Sequence, residues 1–214
     1  MVNQDLTTYT EVDPNGVITV TSPKVAYANM SKLAAEVAYV YKDFGVNYFD
    51  GDFEHLLQSQ LTSGDNNCYG YVWGMANAIN TLRGIQMASG DFITVRHAID
   101  AGGTPSLQIV ACEAGAITAS AVQAISLATI YYLTVRRDEA VGANGTLYCD
   151  IYTDSGRTSL LATISLVMPS KKDFRYLYVL SARNDNEADY KITGFQENFD
   201  LGGISINSNM FLVM

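Results

Sequence analysis

The sequence predicts an all-β protein, a two-sheet antiparallel β-sandwich with at most one short helix. Apolar and polar residues alternate with a period of two along most of the 214 residues, which is typical of strands that bury one face. Turn-forming groups of Gly, Asn and Asp separate these runs at spacings of roughly 8 to 15 residues. Because there are only 4 prolines and no break in composition, we expect a single domain over residues 1–214.

The first half of the chain contains two predicted hairpins. Thr7–Val12 and Val17–Thr21 flank Asp13-Pro14-Asn15-Gly16, in which Pro fixes φ and Gly permits a positive φ. Val37–Leu61 is interpreted as two further strands joined by a turn. The other strands predicted in this half are Val25–Asn29, Cys68–Met75, Asp91–Ile99, Ser106–Cys112 and an Ala-rich one near Ile117–Ile125.

Asn77–Ala88 is ambiguous between a short helix and an irregular connection. Leu82 and Ile85 follow helical spacing, but Gly84 weakens a helix. The last third of the chain alternates more regularly. Its predicted strands are Tyr131–Arg137, Gly145–Thr153, Leu160–Val167, Phe174–Ala182, Tyr190–Leu201 and a final strand Ile204–Val213 within the C-terminal extension 202–214.

Composition excludes several classes of partner. The net charge is −9 with only 13 Lys and Arg, so no basic surface for nucleic acid is expected. No apolar run reaches the ~18 residues of a membrane span, and no signal peptide is recognised at the start. Cys68, Cys112 and Cys149 form no CxxC pair, and the last two lie in apolar runs, as expected for buried free cysteines.

Four segments resemble the concanavalin A-like lectin/glucanase superfamily, which also contains laminin-G-like modules. They are AYVYKDFGVNYFDGDFEH at 38–55, IYYLTVRRDEAVGANGTLYCDIYTDSGRTSLLATISL at 130–166, KKDFRYLYVLSARN at 171–184 and TGFQENFDL at 193–201. The nearest variant is the one seen in bacteriophage and prophage structural proteins. The resemblance spans about residues 7–201 and implies a jelly roll of two curved sheets, one of them concave.

An acidic run is the first candidate site. Asp50, Asp52 and Glu54 occupy alternate positions, so a strand would place them on one face with neighbours about 6 to 7 Å apart. Glucanases of the superfamily carry an E-x-D-x-x-E strand, but the nearest match here begins at Glu11 and has Gly16 in place of the last acid. A calcium ion could use Asp50 and Asp52 as weak ligands. No other metal or cofactor is expected.

A sugar site is the second candidate, because aromatic faces contact the apolar side of sugars and fixed polar groups bind hydroxyls. The alternating positions of Tyr69, Tyr71 and Trp73 predict a shared face. Packing in the core is the alternative for Trp73, and a hydrogen bond to a neighbour is the alternative for His55. The candidate carbohydrate-binding residues are Trp73, Tyr71, Tyr69, His55, Asp52 and Glu54.

Three functions remain open. The first is a non-catalytic structural or surface protein of a virus-like (phage) particle, made in the host cytoplasm and located on the virion surface. Its partners would be other virion subunits in a homo-oligomer, with glycan attachment as a further role. The tyrosines 132, 148, 152, 176 and 178 and the apolar end Ile204–Met214 would supply protein contacts. The second is a free-standing carbohydrate-binding module, and the third is a glycoside hydrolase with a degenerate acid motif.

Overall fold

Two antiparallel sheets account for most of the chain in a computed structural model that describes residues 3–185 and 188–202. In chain order the first strands are β1 Thr10–Val12, β2 Ile18–Thr21, β3 Lys24–Ser31, β4 Tyr39–Asp43, β5 Phe53–Gly64, β6 Cys68–Ala76, β7 Phe92–Ile99 and β8 Pro105–Glu113. The others are β9 Ala116–Ala119, β10 Gln123–Ala124, β11 Thr129–Asp138, β12 Thr146–Tyr152, β13 Leu160–Val167, β14 Tyr176–Ala182 and β15 Lys191–Asp200. The predicted strand Ile204–Val213 lies outside the described residues.

The two sheets are stacked as predicted for a sandwich. The front sheet has the order β1-β4-β14-β6-β7-β8-β10, with β9 also paired to β8. The back sheet has the order β13-β12-β11-β5-β15-β3-β2. The apolar core between them includes Trp73, Leu57, Leu133 and Phe199, each completely buried. Cys112 and Cys149 are free and buried, as the sequence predicts, and Cys68 is free and buried as well.

The two predicted hairpins of the first half are wrong. The turn at Asp13 forms, with Gly16 at φ +68°, but Asp13 then accepts a hydrogen bond from the Ile18 backbone at 2.7 Å. The chain therefore crosses to the back sheet, where β2 pairs with β3, while β1 pairs with β4 in the front sheet. Likewise the segment Val37–Leu61 spans the sandwich, because β4 belongs to the front sheet and β5 to the back sheet.

The ambiguous segment 77–88 contains one short helix, α1 Leu82–Met87. Thr81 caps it by accepting a hydrogen bond from the Gly84 backbone at 3.0 Å. Glycine is suited to position 84 because a Cβ there would collide with the side chain of Asn80. Leu82 and Ile85 are buried against the outer face of the front sheet, so this face is partly covered. No helix of the described residues is long and apolar enough to span a membrane.

A β-bulge in β6 changes the faces on which its aromatic residues lie. The pairing with β7 shifts in register between Tyr71 and Trp73, so Val72 and Trp73 both belong to the core between the sheets. Tyr71 packs instead in the smaller cluster on the outer face, together with α1. The predicted common face of Tyr69, Tyr71 and Trp73 is therefore wrong, because one extra residue reverses the alternation.

Candidate functional site

The outer face of the front sheet carries a row of polar side chains fixed by strand register. Ser181 of β14 lies opposite Tyr71 of β6, Tyr71 lies opposite Arg96 of β7, and Arg96 lies opposite Gln108 of β8. Side chains directly opposite on one face of a sheet are neighbours at about 5 Å between Cβ atoms. A continuous polar and aromatic row therefore crosses four strands.

A cavity of about 260 Å³ opens beside this row. Its polar lining consists of Tyr69, Arg96, Asp100, Thr104, Ser106 and Gln108, and its remaining lining residues are Ala98, Val122 and Ala124. We call the surface formed by Tyr69, Tyr71, Arg83, Arg96, Gln108 and Arg183 the arginine–tyrosine cleft. Of these residues, Tyr69, Arg96 and Gln108 line the cavity itself.

The aromatic ring of Tyr69 contacts three cationic side chains. The guanidinium carbon of Arg183 lies 4.5 Å from the centre of the Tyr69 ring, and that of Arg96 lies 4.8 Å from it. The Lys32 ammonium is 5.0 Å from the same centre. Since a cation over an aromatic ring is stabilised by the ring quadrupole, Tyr69 holds these side chains in place.

Arg96 is oriented by a neutral partner. Its Nε and Nη2 both donate to Oε1 of Gln108, at 3.1 and 2.5 Å. Gln108 in turn donates from Nε2 to the backbone oxygen of Ser120 at 2.7 Å. Burial lowers the pKa of Arg96, and the charge of Arg183 acts in the same direction. The guanidinium is thus held by two hydrogen bonds to Gln108 of β8, and no carboxylate takes part in this chain of hydrogen bonds.

Arg183 has a buried acidic partner. Its Nε donates to Oδ2 of Asp185 at 2.5 Å, and the Asp185 side chain is only 2% exposed. Asp185 also lies 3.9 Å from the ammonium of Lys32. One carboxylate therefore fixes the inner edge of Arg183, while 21% of the Arg183 side chain remains exposed.

Tyr71 is the most deeply buried aromatic residue of this group. It is 3% exposed, and burial raises its pKa while the charges of Arg183, Arg96 and Arg83 oppose that rise. Arg83 extends from α1 and donates from Nη1 to Gln86 at 2.5 Å. Three arginines from a helix, a strand and a strand end thus surround one tyrosine.

Trp73 and His55 are core residues, which corrects their prediction as sugar contacts. Both side chains are completely buried, so neither can contact a ligand from solvent. The Trp73 indole donates from Nε1 to Nδ1 of His55 at 3.1 Å, and the Phe53 ring packs 5.9 Å from the Trp73 ring. The core alternative for Trp73 and the hydrogen-bond alternative for His55 therefore apply.

Tyr69 and Tyr71 lie in the cleft, but they offer little ring surface to a sugar. Tyr69 is covered by its cations, and Tyr71 is almost fully buried. Their roles as direct carbohydrate contacts stay a prediction.

The acidic run lies elsewhere. Asp50, Asp52 and Glu54 are all exposed, and Asp52 accepts a hydrogen bond from the Glu139 backbone at 2.7 Å. Glu54 lies opposite Arg136 in the back sheet, far from the strands that form the cleft. Within residues 3–185 and 188–202, no group of three or more His, Cys, Asp or Glu side chains is placed to hold a metal ion.

The tyrosines proposed as a contact surface divide between the two sheets. Tyr176 and Tyr178 pack against Tyr41 on the front sheet, with ring centres 5.9 and 5.7 Å apart. Tyr132 and Tyr152 are opposite each other on the back sheet. These tyrosines therefore form two separate groups.

Arg96, Gln108 and Arg183 were not singled out from the sequence, although a signal existed for two of them. The predicted strands Asp91–Ile99 and Ser106–Cys112 are consecutive and form the β7–β8 hairpin, in which position 96 pairs with position 108. Both are long polar residues within otherwise apolar strands. Arg183 has no comparable signal, because it follows the end of β14 and approaches the cleft only through the tertiary fold.

Comparisons with known proteins place the fold in a class. No protein-family model and no curated protein matches the chain. Among solved structures, the alginate lyase Aly36B is similar with a TM-score of 0.61 and 10% identity over 91% of this chain and 86% of that one. A legume lectin-like domain from Entamoeba histolytica has a TM-score of 0.51 and 10% identity, over 91% and 90% of the two chains.

A third similar structure is the GH43 protein BlXynB (K247S mutant) from Bacillus licheniformis, with a TM-score of 0.53 and 5% identity. It is matched over 90% of this chain but only 36% of its own length. At such identities the likeness shows the fold alone. The class shown is therefore a two-sheet antiparallel β-sandwich, the fold that the chain shares with these structures.

Proposed function

We propose that this chain is a non-catalytic, lectin-like protein that binds glycans in the arginine–tyrosine cleft. The observation that carries the proposal is the cavity of about 260 Å³ beside the fixed Arg96–Gln108 pair. Sugar hydroxyls are recognised by a few fixed polar groups in a concave site. A cavity of this size is smaller than the roughly 300 to 1,000 Å³ of drug-sized sites, so it suits one residue of a longer glycan.

The carboxylates near the cleft support binding without hydrolysis. Glycoside hydrolases use two carboxyl groups on either side of the scissile bond. Asp100 is the one carboxylate among the residues that line this cavity, and it accepts a hydrogen bond from the Thr104 backbone at 2.8 Å. Asp185 is buried against Arg183. Incubation with a panel of polysaccharides should therefore produce no new chain ends; their formation at an enzymatic rate would contradict this part.

A glycan array followed by titration tests the site. The wild-type protein should bind at least one glycan, and Gln108→Ala should weaken that binding at least about tenfold, or 1.4 kcal/mol. Gln58→Ala is the matched control, because Gln58 is a half-buried glutamine on the back sheet. An array without any binding, or equal losses in the two variants, would contradict the proposal.

The virus-like particle is a separate part of the proposal, and the sequence resemblance of residues 38–55 and 130–166 supports it. In that setting the chain would form a homo-oligomer with other virion subunits and present the cleft at the particle surface. Deletion of Ile204–Met214, which lies outside the described residues, should lower the oligomer mass measured by light scattering. An unchanged mass would contradict the predicted contact of this end.

A further inference from the structure

The cleft concentrates positive charge on an acidic protein. The chain has a net charge of −9 and contains 7 arginines. Arg83, Arg96 and Arg183 all act on Tyr71, and Arg96 and Arg183 share the Tyr69 ring. Like charges repel, so three guanidiniums are gathered here against their own electrostatic preference.

Arg96 lacks an anionic partner within the described part of the chain. Among the described residues its side-chain hydrogen bonds go to the neutral amide of Gln108, and burial and the charge of Arg183 both lower its pKa. By contrast, Arg136 on the back sheet pairs with Asp150 at 3.1 Å, and Arg175 pairs with Asp43 at 2.6 Å. A half-buried cation without a counter-ion is costly, and an anion bound beside it would remove that cost.

Both arginines retain free donors. A guanidinium has five N–H groups, and within residues 3–185 and 188–202 Arg96 uses only Nε and Nη2, toward Gln108. Arg183 donates only from Nε, to Asp185, among the described residues. The terminal nitrogens that remain suit a planar carboxylate or a sulfate group.

We infer that the glycan recognised by the cleft is acidic, and that Arg96 and Arg183 bind its carboxylate or sulfate group. This inference rests on the proposed function and specifies its ligand class. Tyr69 acts as a positioning residue that holds both guanidiniums, and Gln108 fixes the plane of Arg96.

A matched pair of sugars tests the charge directly. Trigalacturonate and its methyl ester share rings and hydroxyls, but the ester lacks the negative charges. Isothermal titration should show binding of the acid and at least about tenfold weaker binding of the ester. A sulfated galactan trisaccharide and its desulfated form, titrated in parallel, show whether sulfate replaces carboxylate.

Variants assign the effect to the cleft. Arg96→Gln and Arg183→Gln should each remove the preference for the charged sugar, while Arg96→Lys should retain part of it. Arg136→Gln is the matched control, because the Arg136 guanidinium also lies over a tyrosine, 4.0 Å from the Tyr148 ring centre, but on the back sheet. Tyr69→Phe should preserve the preference, and Tyr69→Leu should weaken it for the acid only. Thermal unfolding of each variant verifies that it is folded.

The outcomes separate the two proposals. Equal binding of each charged sugar and its neutral form, with loss of both in Gln108→Ala, would overturn the acidic ligand and keep the glycan site. Retained preference in both arginine variants would also overturn the assignment. No binding to these sugars or to any arrayed glycan would contradict the proposed function itself.

Discussion

Both histidines of the chain are buried between the sheets and held neutral. Burial lowers the pKa of His55 and of His97 to about 3. His97 contacts the Ser59 hydroxyl at 3.1 Å through Nε2 and the Tyr27 hydroxyl at 3.2 Å through Nδ1. His55 accepts the Trp73 indole proton at Nδ1. These contacts suit a neutral ring: both nitrogens of His97 have a partner, whereas Nε2 of His55 is buried without one among the described residues.

The protein should therefore lose stability in mild acid. Below about pH 6.5 each histidine is protonated in the unfolded chain but stays neutral in the folded one until its pKa near 3. The stability from this difference is complete above pH 6.5 and is lost as the pH falls. Between pH 6.5 and 4.5 we expect a loss on the order of 2 kcal/mol for each histidine.

Urea unfolding across that pH range measures the effect. His97→Gln should reduce the pH dependence of the unfolding free energy by about half of the histidine contribution, because one of the two titrating groups is removed. A slope in the variant equal to that of the wild type would show that His97 is protonated in the folded state.

Arg137 is the second residue whose environment predicts a large effect. It is 3% exposed, and it donates to the backbone oxygens of Phe49, Gly51 and Lys172 while lying 3.4 Å from Glu139. Truncation would remove this donor from the partly buried oxygens of Gly51 and Lys172, whereas the Phe49 oxygen would keep the Phe174 backbone N–H at 3.3 Å. Such unsatisfied groups cost about 1 to 3 kcal/mol each.

We expect Arg137→Ala to lower the free energy of unfolding by about 3 kcal/mol or more. Arg175→Ala is the control, because Arg175 and Asp43 form an exposed pair that should contribute less than about 1 kcal/mol. In urea unfolding, the midpoint of Arg137→Ala should be lower than that of Arg175→Ala. Similar midpoints would mean that Arg137 does not fasten the 49–51 loop.

At the scale of elements, β15 lies between β5 and β3 in the back sheet. Its residue Gly194 is so close to both neighbours that only glycine fits there. A Cβ on Gly194 would collide with the Gln60 backbone oxygen and lie 2.5 Å from the Tyr27 hydroxyl. The pairing of β15 with both neighbours shifts in register beside this residue. Close approach of the three strands therefore depends on the missing side chain.

Gly194→Ala should cost about 1 to 3 kcal/mol, as overpacking in a close-packed interior does. Gly51→Ala is the matched control, since a Cβ at Gly51 would meet no atom within 4 Å. Thermal melting should show a lower midpoint for the first variant and little change for the second. Equal midpoints would contradict the close approach at β15.

The positions of the strands could be predicted from the sequence better than their pairing in the sheets. Alternation located β7, β11 and β13 nearly residue by residue, because a strand with one buried face shows that pattern locally. It could not tell that β4 and β5 lie in different sheets, because pairing is decided by the whole core. The bulge at Val72–Trp73 also left no local signal, and it moved Trp73 from the predicted site into the core.

At the scale of the molecule, the positive charge of the arginine–tyrosine cleft contrasts with the negative net charge of the chain. The net charge of −9 opposes the approach of long polyanions such as nucleic acids. The arginine–tyrosine cleft is a local exception, built from β6, β7, β8, α1 and the end of β14. The candidate site could be only partly predicted, because Arg183 and Arg83 reach Tyr71 through connections distant in sequence.

Amide chemical shifts locate the glycan site on the protein. Addition of a glycan that binds, identified on the array, should shift the amide resonances of Tyr71, Arg96 and Gln108 on the front sheet. The amides of Leu57, Leu133 and Ile151 on the back sheet should stay unchanged. Shifts confined to the back sheet, or to the acidic segment from Asp50 to Glu54, would contradict the account.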